Sequence, residues 1–346
     1  MANILMNDLQ GILEQTAPLW EQLRGRRLFL TGGTGFFGSW LLESFLHINR
    51  ALGLNASVVV LTRDAAAFRA KLPHLALDSA VSFHTGEIRT FVFPSGQFSH
   101  IIHAATPASA VLNADNPLTM LDTIIEGTRR VLEFSASCGA RRFLLTSSGA
   151  VYGKQPSNLP HIKETWTCTP NTMSPDSAYA EGKRVAELLC AIYARQYGLE
   201  TMIARCFAFV GPYLPLDAHF AAGNFVRDQL AGGPINVQGD GTTVRSYLYA
   251  ADLMTWLWTI LFRGEPCHPY NVGSDEAISI KDLAHTVADL VPGTRVQVAK
   301  EAAPGADADR YVPCVNRAKT ELNLAQTVSL RDALARTSEW AREVRA

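Results

Sequence analysis

The sequence predicts an α/β fold in which a doubly wound parallel sheet carries a smaller C-terminal substrate-binding lobe. Short apolar runs alternate along the chain with segments of helical periodicity, a pattern typical of βαβ units. The first of these runs passes directly into a glycine-rich turn and then into a helical pattern. The length of 346 residues suits one large α/β domain or two closely joined ones.

The glycine-rich turn follows an apolar run at residues 28–31 and has the spacing G-x-x-G-x-x-G at Gly32, Gly35 and Gly38. The first glycine permits the turn, the second lets a pyrophosphate approach the backbone, and the third lets the helix pack on the strand. The N–H groups that open the helix attract phosphate. The pattern predicts a Rossmann-like dinucleotide site, and the alternative is a glycine loop with no ligand.

The alternation predicts further strands and two long helices. The strands are expected at 57–61, 81–88, 99–106, 142–148 and 200–205, and the helices at 117–138 and 178–197. We divide the chain into an N-terminal helical extension (1–24), a dinucleotide-binding domain (25–212) and a lobe (213–346) that is interleaved with the sheet domain. The extension is expected to be an amphipathic helix, because apolar residues recur there at helical spacing.

The composition excludes several function classes. Hydrophobic residues make up 47% of the chain, charged residues make up 18%, and the net charge is −1, which gives no electrostatic case for binding nucleic acid or an anionic membrane. The six cysteines have no metal-ligand spacing, so we expect reduced cysteines in a cytoplasmic protein and no metal site. The N-terminus lacks the pattern of a signal peptide. The apolar stretch at 253–262 is too short to span a bilayer.

The end of the second predicted strand bears on the choice of cofactor. An acidic residue there would bind the ribose hydroxyls, whereas an arginine accommodates a 2′-phosphate. Arg63 therefore favours NADP and Asp64 favours NAD, while a solvated Arg63 without a ligand is equally compatible. The small residues Ala104 and Ala105 would let a cofactor pass close to the end of the fourth strand.

Tyr179 and Lys183 are four residues apart, so they share one face of a helix. A phenol is a poor base at neutral pH because its pKa is near 10, and a lysine ammonium one turn away favours the phenolate. Ser148, at the end of a strand, can donate a hydrogen bond to the same substrate oxygen. The three residues predict proton transfer that accompanies hydride exchange with a nicotinamide, and the alternative is a chance surface pair.

From about residue 26 to the C-terminus, the glycine-rich turn, the strand end at Ser148 and the Tyr179–Lys183 pair together make the chain resemble a known family. This family is the extended short-chain dehydrogenase/reductases of the nucleotide-sugar epimerase/dehydratase group. Within that group, the stretch Thr106-Pro107-Ala108-Ser109 and residues 179–187 are most similar to UDP-glucuronate decarboxylases. The segments that carry the resemblance are 31–38, 103–105, 147–153, 179–183, 205–207, 211–212 and 244–247.

The resemblance implies roles for individual residues. Ser148, Tyr179 and Lys183 would be the catalytic residues. The cofactor would be NAD(P), bound by Gly32, Gly35, Phe36, Phe37, Gly38, Arg63, Glu87, Ile88, Ala104, Ala105, Thr106, Tyr179 and Lys183. The substrate would be a nucleotide-diphosphate sugar, bound by Ser109, Ser148, Asn224, Phe225, Arg245 and Arg310. The resemblance also implies a homodimer formed through the two long helices, for which Leu188, Leu189 and Ile192 supply apolar surface.

One departure from the family pattern bears on the reaction. Dehydratases carry Asp-Glu directly before Val-Tyr-Gly, and decarboxylases carry a glutamate there, but this chain has Gly149-Ala150. We therefore expect a C4 epimerase or a 4-keto reductase. The alternatives are a nucleotide-sugar dehydratase, a UDP-glucuronate decarboxylase, and a non-catalytic dinucleotide-sensing protein.

Overall fold

The computed structural model describes residues 2–106, 109–218, 220–303 and 307–345. Its strands are β1 (Arg27–Thr31), β2 (Ser57–Thr62), β3 (Val81–Thr85), β4 (His100–His103), β5 (Arg142–Ser148), β6 (Glu200–Cys206), β7 (Phe209–Val210), β8 (Ile235–Val237), β9 (Val244–Arg245), β10 (Leu248–Tyr249), β11 (Pro269–Val272), β12 (Ile278–Ser279), β13 (Val296–Val298) and β14 (Arg310–Tyr311). Its α-helices are α1 (Ala2–Thr16), α2 (Phe36–Ala51), α3 (Ala65–Lys71), α4 (Pro73–Ala76), α5 (Ala110–Asp115), α6 (Pro117–Ser137), α7 (Ala178–Tyr197), α8 (Ala221–Leu230), α9 (Ala250–Arg263), α10 (Ile280–Ala288), α11 (Asn316–Leu322) and α12 (Leu330–Arg345). Short 3-10 helices lie at Ala17–Leu23, Gly149–Tyr152 and Pro175–Ser177.

The main sheet has seven strands in the order β3-β2-β1-β4-β5-β6-β11, and every neighbouring pair is parallel. This arrangement confirms the predicted doubly wound sheet. The chain winds to one side from β1 and then to the other side from β4. The carboxyl ends of β1 and β4 therefore flank the crevice in which sheets of this type bind ligands. The seventh strand, β11, comes from the C-terminal part of the chain.

Both faces of the sheet are covered by helices. Leu28 and Leu30 point into a large apolar cluster that contains Trp40 of α2 and residues of α1 and α9. Phe29, between them, points into a second cluster that contains Phe134 of α6 and residues of α7. Successive residues of a strand face opposite sides, so a sheet that is buried on both faces needs continuous apolar runs. This requirement explains the apolar runs from which the strands were predicted.

Helix α1 packs on the main domain, with Leu9 and Ile12 buried. Its one buried carboxylate, Asp8, accepts hydrogen bonds from the Tyr249 hydroxyl and from Arg336 of α12, both at 2.5 Å. The helices α1 and α12 are therefore joined through an ion pair in which Asp8 is buried and Arg336 is partly exposed. Among the described residues, no helix is long and apolar enough to cross a membrane.

Three small sheets lie beyond β6: β12-β9-β14, β7-β10 and β8-β13. The first of them matters for the site, because β9 and β14 run parallel with Arg245 opposite Tyr311. The predicted third and fourth strands are shorter than expected. β3 ends at Thr85, after which the Gly86 N–H makes the last hydrogen bond of the ladder, to Thr62 O on β2. β4 ends at His103, and the Thr106 N–H then closes a tight turn onto Ala104 O.

Two buried histidines lie on β4. His103 is hydrogen-bonded through both ring nitrogens, to Thr31 Oγ1 at 2.8 Å and to Thr128 Oγ1 at 3.1 Å. Burial, with the nearby Lys183 charge, lowers the pKa of His103 to about 3. Burial, with neighbouring arginines, lowers the pKa of His100 to about 4. Both side chains are therefore neutral in the folded protein at neutral pH.

These two histidines predict acid destabilisation that begins near neutrality. The unfolded chain binds a proton at each of them near the ordinary imidazole pKa of 6.5, whereas the folded chain does not. The free energy of unfolding should thus fall as the pH drops below 6.5, by up to about 1.4 kcal/mol per pH unit for each histidine. Urea unfolding at several pH values measures this slope. His103→Asn should reduce the slope, while the matched variant His285→Gln, at an exposed position, should not. Equal stability at pH 7.5 and 5.5 would contradict the prediction.

Candidate active site

The glycine-rich turn joins β1 to α2 at the carboxyl edge of the sheet. Gly32 has a φ of +73°, and a Cβ there would lie 2.4 Å from Ala104 O, so β1 and β4 approach too closely for any side chain. A Cβ on Gly38 would lie 2.3 Å from Gly32 O. At Gly35, by contrast, an added Cβ would be in ordinary contact with the protein, at 3.6 Å from Gly32 O. Nothing among the described residues requires glycine at position 35, whereas a ligand that approaches the backbone would require it.

Helix α2 opens beside this turn. Gly35 is the N-cap residue of this helix. Among the described residues, no side-chain hydrogen bond caps the helix N-terminus. Phe36 and Phe37, in its first turn, are partly buried, and Phe37 packs edge-on against Phe209 at 5.3 Å between ring centroids. The backbone N–H groups of the first helical turn therefore face the crevice without a side chain of their own helix to satisfy them, which suits an anion.

The ends of β2 and β3 carry the residues expected near the adenosine. Asp64 caps α3, since its Oδ1 accepts a hydrogen bond from Ala67 N at 2.9 Å. Arg63 is exposed at the end of β2. Glu87, after β3, accepts a hydrogen bond from Arg89 N at 2.9 Å. The neighbouring Ile88 is buried. These residues lie at the same edge of the sheet as the glycine turn.

Lys183 is the most enclosed member of the predicted catalytic set. Its ammonium donates to Thr106 Oγ1 at 2.8 Å and to Thr146 O at 2.7 Å. These contacts tie α7 to the ends of β4 and β5. Burial lowers the pKa of Lys183 to about 8, so the ammonium is still the main form at neutral pH.

Tyr179 lies one turn before Lys183 and is only partly buried. The Lys183 Nζ atom is 5.9 Å from the centroid of its ring. Burial raises the pKa of Tyr179, and a hydrogen bond with Ser148 opposes that rise. The Tyr179 N–H donates to Asn113 Oδ1 at 3.0 Å, and Asn113 Nδ2 donates to Asp176 O at 2.9 Å. Asn113 thereby fixes the start of α7.

Ser148, at the end of β5, is buried and lies between two phenols. Besides its contact with Tyr179, its Oγ is 3.4 Å from the hydroxyl of Tyr311, on β14. The Ala150 N–H also donates to Ser148 Oγ, at 3.2 Å. The structure therefore brings Ser148, Tyr179 and Lys183 together and adds Tyr311, which the sequence analysis did not identify.

A buried ion pair holds α7 against the sheet. Glu187, one turn after Lys183, accepts from Ser147 Oγ at 2.6 Å and pairs with Arg205 Nη2 at 2.6 Å. Arg205 Nη1 also donates to the Tyr152 hydroxyl at 2.9 Å. Removing one partner of such a pair typically costs about 3–5 kcal/mol. The pair therefore fixes the position of α7 relative to β5 and β6, on which the geometry of the site depends.

Four of the six predicted substrate residues, all except Ser109 and Ser148, lie in two regions. Asn224 and Phe225, on α8, line a cavity of ≈ 320 Å³ together with Arg227, Gln238 and Gly241. Of the predicted pair, Phe225 is buried in the core.

The second region is the β9–β14 ladder. Arg245 pairs with Asp309 at 2.8 Å, and its Cζ lies 5.9 Å from the Tyr311 ring. Arg310 precedes Tyr311, so its side chain leaves the ladder on the face opposite to Arg245. Its Nε is buried and has no hydrogen-bond partner among the described residues. The strand register therefore does not direct the two predicted arginines to the same face.

The segment after β4 is described only in part. Pro107 and Ala108, which belong to the stretch similar to decarboxylases, lie outside the described residues. Ser109 caps α5, because its Oγ accepts from Leu112 N at 3.1 Å.

Comparisons with known proteins show the family and the fold of this chain. The sequence pattern of the NAD dependent epimerase/dehydratase family matches residues 28–273. The chain belongs to this family. It is 32% identical to UDP-glucuronic acid decarboxylase 1 of Arabidopsis thaliana, over 90% of this chain and 68% of the plant protein.

Solved members of the epimerase/dehydratase family have the same fold. The dTDP-glucose 4,6-dehydratase DesIV of Streptomyces venezuelae, solved with NAD bound, is 28% identical, with a TM-score of 0.78 over 92% of this chain and 98% of its own. The UDP-glucose 4-epimerase of Thermus thermophilus, solved with NAD, is 26% identical, with a TM-score of 0.75 over 91% of this chain and 99% of its own.

The turn at Gly32 generates a prediction with a matched control. Gly32→Ala should weaken binding of NAD or NADP at least tenfold, because the new Cβ would force the turn away from Ala104 O. Gly25 also has a positive φ, of +64°, but a Cβ there would meet nothing within 4 Å. Gly25→Ala therefore carries a similar backbone cost, about 1 kcal/mol, without the clash.

Isothermal calorimetry on both variants, with thermal unfolding as a check on folding, separates the two effects. Cofactor affinity of Gly32→Ala within twofold of that of Gly25→Ala would contradict a cofactor site at this turn.

Proposed function

We propose that this protein binds NAD(P) and a nucleotide-diphosphate sugar and exchanges a hydride and a proton at ring carbon C4, as a C4 epimerase or a 4-keto reductase. The observation that carries the proposal is the convergence of Ser148, Tyr179 and Lys183 beside a glycine turn suited to a dinucleotide. Membership of the epimerase/dehydratase family supports the substrate class.

Each of the three residues has a defined task in this reaction. A bound nicotinamide supplies the hydride chemistry. In the oxidation direction the Tyr179 oxygen takes the proton of the C4 hydroxyl as the C4–H bond breaks, which leaves a ketone. Ser148 donates a hydrogen bond to the same sugar oxygen, and the Lys183 ammonium favours the tyrosinate. In the reduction direction the same proton returns from Tyr179.

The absence of a third acid or base at residues 149 and 150 supports simple redox chemistry over dehydration or decarboxylation. Gly149 and Ala150 carry no titratable atom. The space in front of Gly149 is filled, since an added Cβ would lie 2.5 Å from Phe207 Cζ and 2.7 Å from the Tyr311 hydroxyl. This space is therefore taken by a phenyl ring and by a phenol whose pKa is raised by burial, and neither of them is a carboxylate.

Two titratable side chains of the loop at 154–176, Glu164 and His161, are hydrogen-bonded to other segments of the chain. A carboxylate oxygen of Glu164 accepts a hydrogen bond from Asn271 N on β11 at 3.0 Å. His161 Nε2 lies 2.9 Å from Asp275 O. Among the hydrogen bonds of the described residues, neither group contacts Ser148, so we do not assign either of them the role of the missing acid or base.

A second candidate function is UDP-glucuronate decarboxylation, because the curated relatives at about 30% identity are decarboxylases.

Arg245 is the better-placed candidate for the substrate diphosphate, since it faces Tyr311 beside Ser148, while Arg310 remains a weaker one.

The cofactor is left as NAD(P). The use of Asp64 as a helix cap and the exposure of Arg63 support NADP, whereas the relatives solved with NAD support NAD.

We also propose that the protein is a homodimer formed through α6 and α7. Leu188 and Ile192 are exposed on α7, and Leu118 is exposed on α6. Leu189, the third predicted contact, is partly buried and packs into the core beneath α7. Exposed apolar side chains on two adjacent helices are typical of a helical dimer interface.

Product analysis tests the proposed reaction. Incubation with a panel of UDP-, dTDP-, CDP- and GDP-sugars should yield a C4-epimerised or C4-reduced sugar, with no carbon dioxide from UDP-glucuronate and no 4-keto-6-deoxy sugar from dTDP-glucose. Tyr179→Phe should lower the rate about 10²- to 10⁴-fold, because the proton-transfer oxygen is lost. Formation of either excluded product at about 1 s⁻¹ or faster would contradict the assignment.

Light scattering tests the dimer. The protein should be dimeric at micromolar concentration, and the double variant Leu188→Lys, Ile192→Lys should be monomeric because charges would be buried at the interface. Val344→Lys, at an exposed apolar position on α12, is the matched control and should stay dimeric. A monomeric wild-type protein would rule the interface out.

A further inference from the structure

We propose that Tyr311 is a positioning residue for Ser148, and that position 149 is a glycine because the Tyr311 hydroxyl and the Phe207 ring together occupy the space where a side chain would lie. This inference rests on the proposed function, in which Ser148 and Tyr179 handle the proton at C4. It assigns a task to a residue of the C-terminal lobe that lies 163 positions after Ser148 in the chain.

Contacts on several sides hold Tyr311 in place. Its ring packs against Phe207, with the ring centroids 4.5 Å apart. Arg245 lies over its ring, with Cζ 5.9 Å from the centroid. Its hydroxyl is 3.4 Å from Ser148 Oγ and 3.4 Å from Cys206 O. The phenol is therefore fixed beside the serine rather than pointing freely into the crevice.

Gly149 makes this approach possible. A Cβ at residue 149 would lie 2.7 Å from the Tyr311 hydroxyl and 2.5 Å from Phe207 Cζ. The backbone of Gly149 does not have a positive φ, so other residues could adopt its conformation. Glycine is required here for space and not for backbone conformation, so positions 149 and 311 depend on each other.

The hydrogen bonds around Ser148 show what Tyr311 contributes. A serine hydroxyl has one proton to donate and two lone pairs that accept. One lone pair of Ser148 accepts from Ala150 N. The single Tyr311 proton lies 3.4 Å from two acceptors, Ser148 Oγ and Cys206 O. In the proposed role, this proton goes to the second lone pair of Ser148, which directs the serine proton to the Tyr179 oxygen or to the sugar oxygen. Burial raises the pKa of Tyr311, which keeps it protonated and able to donate.

Four elements supply the groups that face Tyr179. They are Ser148 of β5, Lys183 of α7, Cys206 of β6 and Tyr311 of β14. Without the Tyr311 hydroxyl, the Ser148 proton is no longer directed to the Tyr179 oxygen. The tyrosinate form of Tyr179 then loses part of the hydrogen bond from Ser148. The pKa of Tyr179 should then rise, since a hydrogen bond to the charged form favours that form.

The test is the pH profile of kcat in the oxidation direction, in which activity rises as Tyr179 loses its proton. Tyr311→Phe should move the acidic limb upward by roughly 0.5–1 pH unit, lower kcat near neutral pH about 3- to 10-fold and leave KM within about twofold.

Gly149→Ala should give the same shift by displacing the phenol. The double variant should show the same shift of the pH profile as Tyr311→Phe alone, because both changes remove one interaction. The close contact of the added Cβ with Phe207 Cζ, at 2.5 Å, is present in both proteins that carry Gly149→Ala. Tyr270→Phe, at a buried tyrosine whose hydroxyl contacts Glu265 N, is the matched control and should leave the profile unchanged.

Unfolding of the wild-type protein, the two single variants and the double variant gives a second readout that needs no substrate. The effects of Gly149→Ala and Tyr311→Phe on urea unfolding should be non-additive. If the wild-type protein turns over a nucleotide sugar, any one of three results would overturn the inference. These are additive effects on the free energy of unfolding, an unshifted pH profile, or a change confined to KM. Wild-type protein that transfers no hydride to or from any nucleotide sugar would overturn the proposed function, and with it the role of Tyr311.

Discussion

The enclosed ammonium of Lys183 is the interaction on which the rest of the site depends. It donates to Thr106 Oγ1 after β4 and to Thr146 O within β5, so one charged group joins α7 to two strands. A buried charge is costly unless it is hydrogen-bonded, and the fold meets this cost with two short hydrogen bonds. The Glu187–Arg205 pair holds the next turn of the same helix. Together these contacts place Tyr179 one helical turn from a cation and beside Ser148.

Space at the end of β5 is the second constraint. Gly149 leaves room for two aromatic residues, Phe207 and Tyr311, which fill the space in front of residue 149. The site is thus built from both parts of the chain, because Tyr311 and Arg245 come from the small β9–β14 ladder. The same ladder directs Arg310 to its opposite face, which makes Arg245 the better candidate for the substrate diphosphate.

Local patterns predicted most of the sheet domain. The fifth strand was expected at 142–148 and observed at Arg142–Ser148, and α7 matches its expected range of 178–197, since both have clear apolar periodicity. The seventh strand was not predicted, because Pro269–Val272 is short, contains proline and asparagine, and is defined by its pairing with β6. Tyr311 and Asn113 were missed for a related reason. Their contacts with Ser148 and Tyr179 join residues 163 and 66 positions apart, and no local pattern encodes them.

Solvent isotope incorporation tests the central claim most directly. Dehydration removes the C5 proton and later returns one from solvent, and decarboxylation adds a solvent proton at C5 in place of the lost carboxylate. Epimerisation or reduction at C4 leaves the bonds at C5 unchanged. A nucleotide sugar that the protein turns over should be incubated in deuterium oxide and its product examined by NMR and mass spectrometry. The account predicts a product that retains protium at C5. Deuterium at C5, incorporated at the rate of turnover, would show a third acid or base in the site and would contradict it.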